Sequence, residues 1–204
     1  MQSRYQGRSP GRGNQSKALN AFHDQHRERC IAMVRRISQK RRQDGTKLKQ
    51  RYRVVAMGGT FDVLHRGHRR LLRQAFTVGR RVMIGITSDE FARTLHKPHR
   101  FDAYAKRKRD VERLLSRWGV LSRAEIVPLT DRYGPTVRES KIQALIVSRR
   151  TLQTAYEINA RRKTRGLKPL LIDPIDLIMA EDRRPISSTR IRRGRIDREG
   201  RLLQ

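Results

Sequence analysis

Cysteine is the scarcest reactive residue in this sequence. Cys30 stands alone, so no disulfide can form within the chain, and a reducing compartment suits it. Aromatic residues make up only 5% of the chain and do not interleave with the basic runs, which leaves few platforms for stacking nucleobases. Long apolar runs are missing too. A bilayer span takes about 20 apolar residues, whereas a run such as Ala144-Leu145-Ile146-Val147 is far shorter. The first twenty residues lack the apolar core of a secretory signal. A soluble, cytoplasmic protein without a membrane partner is expected. Neither G-x-G-x-x-G nor G-x-x-x-x-G-K-[ST] occurs, which excludes the usual dinucleotide fingerprint and the Walker loop.

Acidic residues are also few, 19 against 49 Lys and Arg, for a formal net charge of +30 over 204 residues. The excess is spread along the chain: residues 1–50 carry 13 basic and 3 acidic side chains, +10, which leaves +20 for the remainder. Such a field attracts polyphosphates and nucleic acid alike. A general compositional bias toward arginine gives the same excess. The length suits one domain with an appendage.

Residues 1–16, MQSRYQGRSPGRGNQS, have almost nothing to bury and read as disordered. Leu19, Phe22, His26, Cys30, Met33 and Ile37 then recur at steps of three and four, which predicts an amphipathic helix. A helix packed on the domain or on a partner, an acid-poor targeting peptide and a later start, for instance at Met33, all fit this basic extension of residues 1–50. From residue 51 the pattern alternates. Strand-like runs at 52–57, 81–87, 125–129, 144–148 and about 169–172 are separated by helical patterns at 66–79, 103–118 and 151–164. This predicts an α/β domain over 51–204: a Rossmann-like parallel sheet of about five strands with helices on both faces. Ligands of such sheets sit beyond the carboxyl ends of the strands, where the strand order switches.

The stretch GGTFDVLHRGH, residues 58–68, falls at such a position, between an apolar strand and a basic helix. Gly58 and Gly59 allow a tight turn and close approach to the backbone. Gly79, after the helical face, reads as its stop. His65 and His68 stand three apart, so on a first helical turn they project to one side and can donate to phosphate oxygens. Gly67 between them is expected to keep a side chain from crowding the ligand. A zinc site is the rival use of paired histidines, but His-x-x-His with a distant Cys30 lacks four ligands, and no metal site is expected. Near the other end, Ser187, Ser188 and Thr189 can cap a helix and present donors to a triphosphate, with Arg192 on the same helix to grip its oxygens.

The first stretch resembles the T-F-D-x-x-H-x-G-H signature of the nucleotidyltransferase superfamily, and ISSTRIR, Ile186 to Arg192, resembles its second signature. Gly85-Ile86-Thr87-Ser88-Asp89, Pro128-Leu129-x-Asp131-x-Tyr133-Gly134-Pro135 and Glu157-Ile158-Asn159 narrow the resemblance to archaeal-type phosphopantetheine adenylyltransferases over about residues 52–200. The resemblance implies transfer of AMP from ATP to 4′-phosphopantetheine, giving dephospho-coenzyme A and pyrophosphate, by direct in-line attack. It implies ATP contacts from Gly59, Thr60, Phe61, His65, His68, Ser187, Ser188, Thr189 and Arg192, with His68, His65 and Lys97 in catalysis. Lys97 and Arg107 are implied as acceptor-binding, and Mg2+ as arriving with ATP. The sequence departs from the family's usual V-S-E-E-T and F-E-x-R at Arg149, Arg150 and Ala105, where acidic residues stand in relatives. Two alternatives stay open: a sister enzyme acting on FMN, nicotinamide mononucleotide or a phosphorylated alcohol, and a nucleic-acid-binding protein on an inactive transferase scaffold. The basic extension leaves nucleic acid open as a partner in either case.

Overall fold

The computed structural model describes residues 50–95 and 100–203. The expectations for residues 1–49 and for Lys97 lie outside the described residues. Five strands form one parallel sheet: β1 (Tyr52–Gly59), β2 (Gly79–Thr87), β3 (Ala124–Leu129), β4 (Ala144–Ser148) and β5 (Leu171–Ile175), in the order β3-β2-β1-β4-β5. The order reverses direction between β1 and β4, as in a doubly wound sheet. Among the described residues five α-helices accompany it: α1 (Arg66–Val78), α2 (Asp89–Thr94), α3 (Tyr104–Arg117), α4 (Leu152–Thr164) and α5 (Ser188–Arg192). Among the described residues no helix is long and apolar enough to cross a membrane.

Both faces of the sheet are buried, which is why the central strands are nearly continuous in apolar residues. On one face Val55, Met57, Val82, Ile84 and Ile146 pack against Leu72, Ala75 and Phe76 of α1 and Val111, Leu114 and Leu115 of α3. On the other, Ala56, Met83, Leu145 and Val147 pack against Ala155 and Ile158 of α4. Proline appears only in the two outer strands, as Pro128 in β3 and Pro174 in β5, where a missing N–H costs no central ladder bond.

The alternation places all five strands, with shifts that have local causes. The fifth strand begins and ends later than expected, at Leu171 and Ile175, running through Pro174. α2 is a six-residue helix that the periodicity does not announce; Ser88 caps it by accepting from the Phe91 N–H at 3.1 Å. Gly79 ends α1 in an extended conformation, φ −104°, not in the left-handed turn of a glycine stop, and it begins β2 at once. Its role is steric. A Cβ there would come within 2.6 Å of Val55 Cγ2, so only glycine lets the end of α1 lie against β1.

Candidate active site

β1 pairs with β2 through to Gly59↔Ile86, but with β4 only at Val55↔Ala144 and Ala56↔Leu145. Beyond those pairs the carboxyl ends of β1 and β4 diverge, and two cavities flank the exposed end of β1. One, of about 340 Å³, is lined by His65, His68, Arg150 and the run Ser187 to Thr189. The other, of about 400 Å³, has Phe91, Leu129, Tyr133 and Ile158 in its walls. Gly58, Gly59, Thr60 and Thr151 border both.

The loop that links β1 to α1 carries two strained residues. Phe61 (φ 52°) and Val63 (φ 46°) sit in the left-handed region, where a non-glycine residue costs on the order of 1–3 kcal/mol, and a β-branched one is an outlier. The surroundings hold them there. Between them, Asp62 is 1% exposed; its Oδ2 accepts from Arg192 Nε and its Oδ1 from Arg192 Nη2, both at 2.7 Å, while the Asp102 N–H donates to Oδ1 at 3.1 Å. Burial pushes the Asp62 carboxyl up, but the Arg192 fork and the Asp102 N–H outweigh it and hold the group below the usual carboxylate range. Ser188 Oγ donates to the Asp62 carbonyl. The second sequence signature therefore clamps the first.

His65 is the N-cap of α1. Its Nδ1 accepts from the Gly67 N–H at 3.1 Å, so the proton of the neutral ring lies on Nε2. Burial, and then the positive charges of Arg69 and Arg150, push its pKa down to about 4. The His68 ring stacks on it, centroids 3.8 Å apart, and Phe61 lies 5.3 Å from His68 on another side. Gly67, which lines the smaller cavity, also serves this arrangement. A Cβ there would stand 3.0 Å from His65 Cε1 and 3.1 Å from Nδ1, so the side chain it makes room for is the histidine cap.

Of the expected ATP contacts, Gly59, Thr60, Phe61, His65, His68, Ser187, Ser188 and Thr189 line the smaller cavity together. Two arginines sit elsewhere than expected. Arg192 is engaged with Asp62 and, at 3.0 Å, with Asp102. Arg107, expected at the acceptor, is 1% exposed and donates to the carbonyls of Asp102, Thr60 and Thr87 and to Asp89 Oδ1, at 2.7 to 2.8 Å. The reason is topological: β1 and β2 both end beneath α3, and their last carbonyls need a donor that no neighbouring strand supplies. Arg162 does the same on the other face, donating to Thr136, Glu139 and Lys168 carbonyls.

Three glycines shape the larger cavity around one side chain. A Cβ at Gly58, Gly85 or Gly134 would meet Leu129 at 3.1, 2.6 or 2.4 Å. The Asp131-Arg132-Tyr133-Gly134 turn closes over it: Asp131 Oδ1 accepts from the N–H groups of Tyr133 and Gly134, and Tyr133 Oη donates to Glu157 at 3.0 Å. The roles of Asp62, Asp89 and Asp102 escape the sequence reading. The D of T-F-D was a signal for the first and the D of Gly85-Ile86-Thr87-Ser88-Asp89 for the second; nothing in the spacing marks Asp102. Among the described residues no three His, Cys, Asp or Glu side chains cluster as metal ligands.

The profile of the cytidylyltransferase-like family matches residues 56–194. A phosphopantetheine adenylyltransferase of Methanothermobacter thermautotrophicus is 46% identical over 157 residues, covering 77% of this chain and 93% of that protein. A phosphopantetheine adenylyltransferase of Methanopyrus kandleri is 45% identical over 147 residues, 72% of this chain and 92% of the relative. Among solved structures, a protein of unknown function from Archaeoglobus fulgidus superimposes with a TM-score of 0.55 at 36% identity, over 61% of this chain and 89% of that one. The chain belongs to the cytidylyltransferase-like family and, within it, to the archaeal phosphopantetheine adenylyltransferases.

Proposed function

We propose that this chain transfers AMP from ATP to 4′-phosphopantetheine in the cytoplasm, releasing pyrophosphate and forming dephospho-coenzyme A. The observation that carries this reading is the pair of cavities that meet over Gly58, Gly59 and Thr60. The smaller cavity, with its imidazoles and hydroxyls, suits a triphosphate. The other, walled by Phe91, Leu129, Tyr133 and Ile158, suits a slender, mostly uncharged arm ending in a phosphate.

The chemistry requires little beyond placement. A phosphate oxygen of the acceptor attacks the α-phosphorus, that bond forms as the bond to the bridging oxygen of the β-phosphate breaks, and pyrophosphate leaves. The acceptor phosphate already carries negative charge at neutral pH, so no general base is needed, and positioning with charge stabilisation supplies the rate. His65 is neutral at physiological pH with its proton on Nε2, which makes it a donor to an α- or β-phosphate oxygen. His68, stacked on it, and Thr60 would donate beside it, and Ser187 to Thr189 would hold the far phosphates. The glycine backbone lets both reacting groups come close. Mg2+ would enter with ATP, since the described residues offer it no cluster of three ligating side chains; it would offset the triphosphate charge. Lys97, outside the described residues, is proposed as a bridge between the substrates' phosphates.

A pyrophosphate-release assay crossing ATP and CTP with phosphopantetheine, FMN, nicotinamide mononucleotide and glycerol phosphate tests the reading. Turnover is expected only for ATP with phosphopantetheine, and His68→Ala should lower kcat by about a hundredfold. Turnover with another acceptor at a comparable kcat/KM would overturn it.

A further inference from the structure

α1 and α3 lie side by side on one face of the sheet, and the groove between their outer sides encloses about 720 Å³. Six of its ten lining residues are basic, Arg69, Lys106, Arg109, Arg113, Arg117 and Arg198, against one acid, Asp110. Lys106 is neutralised by Asp102 and Asp110, and Arg69 by Glu199. Arg109, Arg117 and Arg198 pair with no carboxylate among the described residues, and all three are exposed. From the opposing wall α1 contributes Arg69, with Arg73 lying over the Trp118 ring beside it.

Arg109, Arg113 and Arg117 recur at every fourth residue of α3, so they share one helix face and repeat about every 6 Å along it. A row of that spacing matches a polymer with a charge on each backbone unit. It does not match an acidic peptide, whose carboxylates end separate flexible side chains, nor a bilayer, which a concave surface cannot meet. A second copy of the chain carries +30 and is opposed by its charge. Neighbouring helices on a sheet lie about 10 Å apart, which admits one strand and is too narrow for a duplex. The floor offers no free aromatic platform, because Arg73 already covers the Trp118 ring at 4.9 Å from its centroid. Recognition would therefore rest on phosphates, without base readout.

We propose that the groove between α1 and α3 binds single-stranded nucleic acid through its phosphodiester backbone, gripped by Arg109, Arg113, Arg117 and Arg198. This site is separate from the cavities at the carboxyl ends of the strands and does not depend on which acceptor they hold.

The test is fluorescence anisotropy of the full chain with short labelled poly(U) and poly(dT) oligonucleotides over a salt series. The triple reversal Arg109→Glu, Arg113→Glu, Arg117→Glu is compared with Arg138→Glu, Arg165→Glu, Lys168→Glu, an equal charge change beside α4. The first triple should bind both oligonucleotides at least about tenfold more weakly than the second and flatten the log–log salt slope by about 2, the worth of three phosphate contacts on a single strand. Pyrophosphate release should survive in both. Equal losses in the two triples, or no binding by the unmodified chain, overturn the proposal. So does tighter binding of poly-glutamate or phosphatidylserine vesicles than of either oligonucleotide. If the reversal costs the fold, Arg109→Gln with Arg117→Gln takes its place, with a slope change of about 1.4 expected from two contacts and no change overturning the proposal.

Discussion

Asp62 and Arg192, 130 residues apart in sequence, meet through two parallel hydrogen bonds of 2.7 Å, one to each carboxylate oxygen. Asp62 is 1% exposed and lies between the two strained residues of the β1–α1 loop. Removing one partner of a buried pair leaves the other charge uncompensated, at about 3–5 kcal/mol. Arg192→Ala should therefore lower the unfolding free energy read from urea melts by that much, while Arg192→Lys, which keeps charge but loses the fork, should lose less. A cost below about 1 kcal/mol for Arg192→Ala would mean that the pair behaves like an exposed one.

His65 ties stability to pH. Its folded pKa of about 4 lies below the ordinary 6.5, so between these values the unfolded chain binds the proton and the folded chain does not. The contribution is complete above pH 6.5 and is lost as pH falls toward 4, by up to about 3 kcal/mol. Denaturant melts across that window should fall with pH, and His65→Asn, which keeps a capping oxygen, should flatten the curve. A His65→Asn profile as steep as that of the unmodified chain would place the proton elsewhere.

Gly67→Ala separates stability from activity. Alanine is favoured over glycine in a helix by about 1 kcal/mol, yet its Cβ would stand 3.0 Å from the His65 ring, which must shift along with the stacked His68. The melting temperature should change little while kcat falls by roughly tenfold, a fraction of the worth of one donor. Parallel kinetics and thermal melts read both.

Arg107 should behave as a structural residue. Arg107→Met strips donors from three carbonyls and from Asp89, each unsatisfied group costing about 1–3 kcal/mol. Folded yield and turnover should fall together. A raised KM for the acceptor alone, at an unchanged melting temperature, would return Arg107 to the acceptor site.

The residues that mark the elements and those that mark the cleft were unequally legible. Short apolar runs between helical patterns reveal β1 to β5, because burial on both faces leaves no other composition for the inner three. GGTFDVLHRGH and ISSTRIR locate the ends that come together, because phosphate handling needs glycine, imidazole and hydroxyl at fixed places. Arg107 and Arg162 could not be read in advance. Among 49 basic residues an arginine looks solvated unless the carbonyls that will surround it are known, and those belong to strand and loop ends distant in sequence. Gly67 and Gly79 were visible as glycines, but their neighbours, His65 and Val55, are fixed by packing that no periodicity encodes.

The clamp across the sheet also governs when the enzyme can first come alive. Arg192 is synthesised 130 residues after Asp62, whose strained turn it secures. A nascent polypeptide can lay down all five strands before that residue emerges, yet the cavity beside His65 and Ser187 stays unfinished until it does.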